Sequence, residues 1–159
     1  MMDFQRQGKI VGFTLIELLV VIVLIVILSA VFIARSPGVS PHLSAITAQI
    51  ASDVRSIQSL AQSRGKGFYI RFLSGSYQLR DASDATTPGF DDVTLPSGFT
   101  LSVSALSDNL VAFDGKGIPY ANSALTSALS SDATITVSAN NQSMKVTVNS
   151  LTGRAHVSI

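Results

Sequence analysis

The 159-residue sequence contains no cysteine, no tryptophan and only two histidines. Without cysteine the chain can form no disulfide, no thiolate nucleophile and no cysteine-based zinc site. The histidines, His42 and His156, lie far apart and lack a metal-ligand spacing such as His-Glu-x-x-His. The sequence therefore excludes thiol chemistry and gives no reason to expect a histidine metal site.

Charged residues are also scarce, at 13% of the chain, with 11 basic and 10 acidic side chains and a net charge of +1. Because basic and acidic side chains are nearly equal in number, the chain has no large positive charge that would attract a nucleic acid or an anionic membrane surface. We therefore expect neither to be a main partner of the chain.

Motifs that carry catalysis are missing as well. No Gly-x-Ser-x-Gly sequence places a serine on a strained turn beside a base. The Gly-Lys-Gly triplets at 65–67 and 115–117 are too short for a phosphate-binding loop and lack its following serine or threonine, so they predict turns. We expect no enzyme and no cofactor.

Four aspartates cluster in and beside one polar loop, namely Asp81, Asp84, Asp91 and Asp92. Carboxylates of this kind are calcium ligands, but the spacing of an EF-hand is absent. We interpret them as solvated loop residues and predict no metal site, with calcium binding at Asp81–Asp92 left open.

One long apolar run stands out against this background. From Phe13 to Ile33 it is 21 residues long, and Glu17 is its only ionisable side chain. At about 1.5 Å per residue, a helix of this length matches the roughly 30 Å hydrocarbon core of a bilayer. The run predicts a transmembrane helix over 13–35. A carboxylate costs about 2.5–3.5 kcal/mol near the centre of such a helix, so Glu17 calls for a partner.

The run is expected to stay on the protein. It is longer than the roughly 7–15 apolar residues of a secretory signal peptide, and no clear cleavage box follows it. Arg6 and Lys9 precede it and Arg35 follows it, which favours a cytoplasmic N-terminal side. The remainder of the chain would then be periplasmic or extracellular.

The residues around the start of the run resemble a known processing site. A polar leader ends with Lys-Ile-Val-Gly at 9–12, and Phe-Thr-Leu-Ile-Glu follows at 13–17. This sequence resembles the processing site of type IV pilins and type II secretion pseudopilins. The resemblance implies that a prepilin peptidase cuts between Gly12 and Phe13, that Phe13 becomes N-methylated, and that Glu17 pairs with the terminal amine of a neighbouring subunit during assembly.

The same resemblance implies the pilin fold, an α+β architecture. In it a long N-terminal hydrophobic α-helix is followed by an antiparallel β-sheet domain packed on the helix's C-terminal half. The chain would consist of a cleaved leader (1–12), a transmembrane and filament-core helix (13–35), a kink with an amphipathic helix (36–65) and a β-rich globular domain (66–159). Removal of the leader would take away Asp3, Arg6 and Lys9 and leave nine side chains of each sign.

The pattern after the apolar run agrees with this organisation. Pro37 and Gly38 interrupt the helix, while Pro41 suits a first helical residue and Ser40 its N-cap. Gly65 is a probable end of the second helix. Apolar residues spaced three and four apart predict one buried helical face, made of Leu43, Ile46, Ile50, Val54, Ile57 and Ala61.

Beyond residue 65 the apolar residues alternate in short runs, which predicts strands. A hairpin is expected from 68–72 and 76–80 around Ser74-Gly75, followed by a polar loop at 82–89. Asn140-Asn141 predicts a tight turn. Further strands are expected at 92–95, 99–104, 110–114, 134–139, 144–149 and 155–159.

Three later segments look like the minor pseudopilin H and FimT-type minor pilin group, which also resembles one minor pilin of mannose-sensitive haemagglutinin pili. They are Gln58–Ala61, Phe113–Gly117 and Leu151–Arg154. This implies a minor pilin or pseudopilin that takes part in filament assembly or tip formation. Its partners would be other pilin subunits, the prepilin peptidase and, before assembly, bacterial inner-membrane lipid.

An alternative function is the capture of DNA or another ligand by an exposed minor pilin. FimT-type pilins that bind DNA carry Gly-Arg-x-Arg near the C-terminus, whereas this chain has Gly153, Arg154, Ala155 and His156. A neutral imidazole adds no full charge at pH 7, and phosphate affinity depends on the number of charges. DNA contact through Arg154 and Lys145 is therefore possible but not favoured. The motifs do not choose between secretion, adhesion, twitching and DNA-uptake filaments.

Overall fold

The computed structural model describes residues 14–34, 40–87 and 89–158, with side chains in the first range described up to Ser29. The chain divides into two compact units, Met1–Gly38 and Val39–Ile159. The predicted processing residues Gly12 and Phe13 lie outside the described residues, as does most of the predicted kink.

The first unit contains one helix, α1, over Leu15–Ala34. Thr14 precedes it, and the Glu17 N–H donates to the Thr14 carbonyl oxygen at 3.1 Å and to its Oγ1 at 3.3 Å. Threonine followed three residues later by glutamate is the pattern of a capping box, which satisfies free N–H groups at a helix start. Glu17 thus belongs to the first turn of the helix, where the helix dipole favours a carboxylate.

Every described side chain of this segment, from Thr14 to Ser29, is exposed. Within the described residues, no helix is both long enough and apolar enough to cross a membrane. The range predicted for the transmembrane helix, 13–35, begins and ends outside those residues.

The second unit begins with α2, over Pro41–Arg64. Pro41 occupies the first turn and Gly65 ends the helix in the left-handed conformation, with φ of 63°, as the sequence predicted. Ser40 is the N-cap residue, but its side chain makes no capping hydrogen bond. Its N–H instead donates to Gln142 Oε1 at 3.0 Å, which ties the helix start to the later part of the chain.

The predicted apolar face of α2 is buried at five of six positions, and Ile46 is only half-buried. Thr47 and Ala51 are also buried, which the spacing of apolar residues did not predict. Thr47 tolerates burial because its hydroxyl donates to the Leu43 carbonyl oxygen at 2.7 Å.

The described strands form two antiparallel sheets, so the expectation of a single sheet is wrong. The five-stranded sheet has the order β3-β2-β1-β5-β6, and the four-stranded sheet has the order β4-β7-β8-β9. Alternation shows which face of a strand is buried but not which strand lies beside it. The strands are β1 (Phe68–Leu73), β2 (Ser76–Asp81), β3 (Val93–Thr94), β4 (Thr100–Ser104), β5 (Leu110–Phe113), β6 (Pro119–Tyr120), β7 (Ala133–Ala139), β8 (Gln142–Val148) and β9 (Ala155–Ser158).

The local predictions within these sheets hold. β1 and β2 form the expected hairpin, in which Leu73 pairs with Ser76 around the two-residue turn. Asn140 and Asn141 both have positive φ, of 51° and 60°, as the tight turn between β7 and β8 requires. The short strand β6 was not predicted, because it is two residues long and begins with a proline.

The core lies where α2 packs against both sheets. It contains fully buried side chains from the helix and from each sheet, among them Ile50, Val54, Ile70, Phe113 and Ile135. Each large apolar side chain buried in this way contributes roughly 1.5–3 kcal/mol. The α+β architecture is confirmed, and the second unit has a hydrophobic core of its own.

Candidate functional site

Three chain segments that the sequence singled out meet at one glutamine side chain. Gln58 on α2 donates through Nε2 to the carbonyl oxygen of Gly117 at 3.0 Å and to that of Thr152 at 2.7 Å. Gly117 lies in the β5–β6 turn (114–118), and Thr152 lies in the β8–β9 loop (149–154). We call the meeting point of α2, this turn and this loop the Gln58 junction.

The segments approach so closely that glycine is required at two positions. A Cβ atom on Gly153 would lie 2.6 Å from Gln58 Nε2 and 2.8 Å from the Gly117 carbonyl oxygen, and Gly153 also has a φ of 67°. A Cβ on Gly115 would lie 2.7 Å from the carbonyl carbon of Gly65. The two Gly-Lys-Gly triplets are therefore turns, and their glycines let them pack against each other.

Other polar side chains of α2 extend this contact. Gln62 Nε2 donates to the Lys116 carbonyl oxygen at 3.2 Å, and Arg55 Nε donates to the Ala155 carbonyl oxygen at 3.0 Å. Neither residue belongs to the buried apolar face that the sequence predicts for this helix. Their spacing, three from Arg55 to Gln58 and four from Gln58 to Gln62, marks one helical face and could have indicated a second packing surface.

The β8–β9 loop is held in place by hydrogen bonds within the loop and by others to Asp132, which precedes β7. Asn149 Oδ1 accepts from the N–H groups of Leu151 at 3.1 Å and of Thr152 at 3.0 Å. Asp132 Oδ1 accepts from the N–H of Ser150 at 2.8 Å and from its hydroxyl at 3.0 Å. These bonds from Ser150 hold the pKa of Asp132 below its usual value. The loop is thus fixed from both sides.

This fixed loop carries an exposed leucine. The side chain of Leu151 is 84% exposed, and Ile118, in the adjoining β5–β6 turn, is 38% exposed. Lys116 and Arg154 are exposed beside them, and neither forms an ion pair within the described residues. We call Lys116, Ile118, Leu151 and Arg154 the Leu151 patch. The sequence indicated Arg154 as a possible DNA contact, whereas Leu151 entered only as the first residue of the segment Leu151–Arg154.

The clustered aspartates are mostly exposed, as expected of solvated loop residues, but three of them also have partners within the fold. Asp81 Oδ1 accepts from the N–H groups of Ser83 at 2.9 Å and Ala85 at 3.1 Å, and Asp81 Oδ2 lies 3.6 Å from Lys66 Nζ. These main-chain bonds, followed by the lysine charge, hold the pKa of Asp81 below its usual value. The carboxylate therefore closes the loop after β2.

Two further aspartates of the cluster also have partners. Arg80 binds Asp92 through two hydrogen bonds of 2.6 and 2.8 Å, which lower the pKa of Asp92. Asp84 accepts a hydrogen bond from the hydroxyl of Tyr69, and burial together with this bond raises the pKa of Tyr69 to about 12. Among the described residues, no group of three or more acidic or histidine side chains is arranged to hold a metal ion.

One further polar pair joins α2 to the β1–β2 hairpin. The buried Tyr77 donates its hydroxyl to Asp53 Oδ2 at 2.6 Å. Burial raises the pKa of Asp53, and the hydrogen bond from Tyr77 opposes part of that rise. The pair fixes the helix against the sheet and leaves a titratable group at the contact.

Comparison with known proteins identifies the fold. No family model matches the chain, and no curated protein sequence matches it. Solved structures do match. The type IV minor pilin FimU of Pseudomonas aeruginosa aligns over 74% of this chain and 88% of its own, with a TM-score of 0.57 and 12% identity. The minor pseudopilin EpsH of the Vibrio cholerae type 2 secretion system aligns over 74% and 96%, with a TM-score of 0.56 and 11% identity.

The chain has the pilin fold. A second crystal form of FimU aligns with a TM-score of 0.51. The resemblance read from the leader and apolar run is thereby confirmed at the level of the fold, which minor pilins and a minor pseudopilin share. At 11–12% identity the likeness extends to the fold alone.

Within this pilin fold, the two residues predicted to contact DNA do not lie together. Arg154 is joined to Asn149 by a main-chain hydrogen bond, whereas Lys145 pairs with Ser158 at the other end of β9. Four residues of strand separate them, about 13 Å at roughly 3.3 Å per residue. The surface therefore lacks a continuous row of cations.

The assembly residue predicted from the pilin resemblance lies in the first turn of α1, as described above. Glu17 has a local structural role there, because its N–H group is capped by Thr14. The sequence showed Thr14 and Glu17 at capping-box spacing, but that pattern was not recognised.

Proposed function

We propose that this chain is a minor pilin or pseudopilin, a structural subunit that joins a type IV pilus or type II secretion pseudopilus and takes part in its assembly or tip. One observation carries the proposal: α1 exposes a large apolar side chain at every position from Leu15 to Leu28 except Glu17. A helix that is apolar all round needs cover from lipid or from other helices. The pilin fold of the second unit supports the same role.

Lipid and neighbouring helices would surround α1 in two different states of the protein. Before assembly the chain would be held in the bacterial inner membrane by its apolar run, with the domain at 66–159 in the periplasm. Basic residues before the run support this orientation. After cleavage between Gly12 and Phe13 and methylation of Phe13, the helix would move into the filament, where sister helices replace lipid.

Glu17 gives this second state its register. Two unit charges about 4 Å apart attract by about 4 kcal/mol at an effective dielectric constant near 20, comparable to the insertion cost of about 2.5–3.5 kcal/mol. Pairing of Glu17 with the amine of a neighbouring Phe13 then adds little net stability. It selects the one helix alignment that leaves no carboxylate unpaired.

Processing is the first step that tests this function. The full-length chain would be produced with and without a prepilin peptidase, and its N-terminal peptide identified by mass spectrometry. We expect a new N-terminus at Phe13 only when the peptidase is present. Gly12→Val should block cleavage because a branched side chain replaces the last leader residue, whereas Lys9→Gln serves as the control. An N-terminus that the peptidase never changes would contradict the proposal.

A further inference from the structure

The Leu151 patch combines an exposed apolar side chain with a loop that hydrogen bonds hold in place. Its central leucine is 84% exposed, yet the loop beneath it is fixed by Asn149 and Asp132 and anchored to α2 by Gln58. Ordering a loop on binding costs free energy, and here most of that ordering is already present. The loop is therefore prepared to bind without rearrangement.

The two segments of the patch lie side by side. Gln58 Nε2 contacts the carbonyl oxygens of both Gly117 and Thr152, so the main chains next to Ile118 and Leu151 are adjacent. Asp114 is the nearest carboxylate on the turn, and its Oδ1 accepts the N–H groups of Lys116 and Ile118 at 2.9 Å each. That carboxylate is engaged by its own main chain.

The charges of the patch indicate the kind of partner. Lys116 lies two residues before Ile118 and Arg154 three residues after Leu151, and neither cation has a salt bridge in the described part of the chain. An apolar knob with a cationic rim complements an apolar pocket with a rim of carboxylates. A second copy of this chain is a poor match, because a two-fold contact would place the like charges against each other.

We propose that the Leu151 patch docks a different protein subunit, which receives Leu151 in an apolar pocket and faces Lys116 and Arg154 with carboxylates. This inference rests on the proposed function, since the subunits of a filament are the proteins held beside this domain. A nucleic acid would use the cations alone and leave Leu151 without a partner. With Lys145 about 13 Å away along the strands, the charge is also too sparse for a phosphate track.

The first experiment places a photo-crosslinking amino acid at position 151 of the full-length chain in its host cells. The same replacement at Leu73, which is 44% exposed at the end of β1, is the matched control. We expect position 151 to crosslink to a different subunit in high yield and position 73 to give no such product. Mass spectrometry then identifies the crosslinked peptide of the partner.

Charge exchange tests the chemistry of that contact. Arg154→Glu should lower the crosslinking yield about tenfold, and replacing a carboxylate near the crosslinked peptide of the partner by lysine should restore it. Lys145→Glu alters an exposed cation outside the patch and should leave the yield unchanged. Leu151→Asp, tested by co-purification with the identified subunit, should abolish binding.

A crosslink to a second copy of this chain, to lipid or to nucleic acid would overturn the inference, as would no crosslink at all. Equal yields with and without Arg154→Glu would overturn it too. The same cells report on the proposed function, because sheared filaments are probed for the chain. If the chain is in filaments but position 151 finds no partner subunit, only this inference fails. If the chain is absent from filaments, the proposed function fails and this inference fails with it.

Discussion

Gln58 is the side chain on which the junction of helix, turn and loop depends most. Its amide supplies two hydrogen bonds to carbonyl oxygens that strand pairing leaves free. Gln62, one turn further along the same helix, supplies a single exposed bond of 3.2 Å. The two glutamines therefore form a natural pair for comparison.

We predict that Gln58→Ala lowers the free energy of unfolding of residues 40–159 by about 1–3 kcal/mol, because two carbonyl groups lose their donor. Gln62→Ala should cost below about 1 kcal/mol, since only one exposed bond is lost. Urea unfolding followed by circular dichroism measures both. Equal losses for the two variants would show that Gln58 does not hold the junction.

Gly153 and Gly75 form a second pair for comparison, because they differ in backbone conformation and in the room available for a Cβ atom. Its φ is 67° and an added Cβ would meet Gln58 and Gly117, whereas a Cβ on Gly75 in the β1–β2 turn meets nothing within 4 Å. We predict a loss of about 1–3 kcal/mol for Gly153→Ala. Gly75→Ala should change the unfolding free energy by below about 1 kcal/mol. A Gly153→Ala protein as stable as the Gly75→Ala protein in the same urea titration would contradict the close packing.

The raised pKa of Asp53 predicts how the stability of the fold changes with pH. Burial raises the pKa of Asp53 in the folded protein above its usual value, so the folded state binds a proton more tightly than the unfolded state. The stability that this proton binding confers is fully present below the unfolded pKa and is lost as the pH rises through the folded pKa. Asp53→Asn keeps an acceptor for the Tyr77 hydroxyl and removes the titration.

We therefore expect Asp53→Asn to gain stability relative to the wild type as the pH is raised from about 4 to about 6. Thermal unfolding across this range measures the difference. Asp92→Asn should behave oppositely, because the pKa of Asp92 is lowered in the fold: its stability cost is largest at neutral pH and disappears as the pH falls. A difference between Asp53→Asn and wild type that does not change with pH would rule out the raised pKa.

At the scale of elements, α1 begins with a structure that gives Glu17 two separate roles. Its N–H group is capped by Thr14, whereas its carboxylate is the group that the proposed assembly would use. The two roles are separable, because Thr14→Ala removes the cap and keeps the charge, whereas Glu17→Gln keeps the main-chain N–H and removes the charge.

We predict that Glu17→Gln is inserted in the membrane as well as the wild type but no longer enters filaments, while Thr14→Ala enters them. Membrane and sheared-filament fractions, compared by immunoblot, give the result. Incorporation of Glu17→Gln at the wild-type level would show that the carboxylate is not needed for assembly. Loss of Thr14→Ala from filaments would show that the helix cap is also needed for assembly.

The sequence predicted those elements whose signals are local. The second helix follows from apolar residues spaced three and four apart between Pro41 and Gly65, and the β1–β2 hairpin follows from alternation around Ser74-Gly75. The division into two sheets was not predictable, because pairing depends on distant partners such as β4 with β7. The Leu151 patch was missed for the same reason, since its turn and loop lie far apart in the sequence and meet at Gln58.

At the scale of the whole molecule, the chain combines a domain that has its own hydrophobic core with a helix whose described side chains, up to Ser29, are exposed. The unit Val39–Ile159 buries apolar residues of α2 between two sheets, whereas α1 exposes its apolar side chains on every described face. Such a combination is stable only when lipid or neighbouring helices cover α1. In the proposed function, a filament would supply that cover and give the domain neighbours to bind.

The most direct measurement of this claim is to locate the full-length chain in its host cells. Filaments or pseudopili would be sheared, purified and probed by immunogold labelling and mass spectrometry. We predict that the chain is present in the purified filaments, begins at Phe13, and is absent when the prepilin peptidase is deleted. A chain that stays with the cells, uncut and independent of the peptidase, would contradict the account.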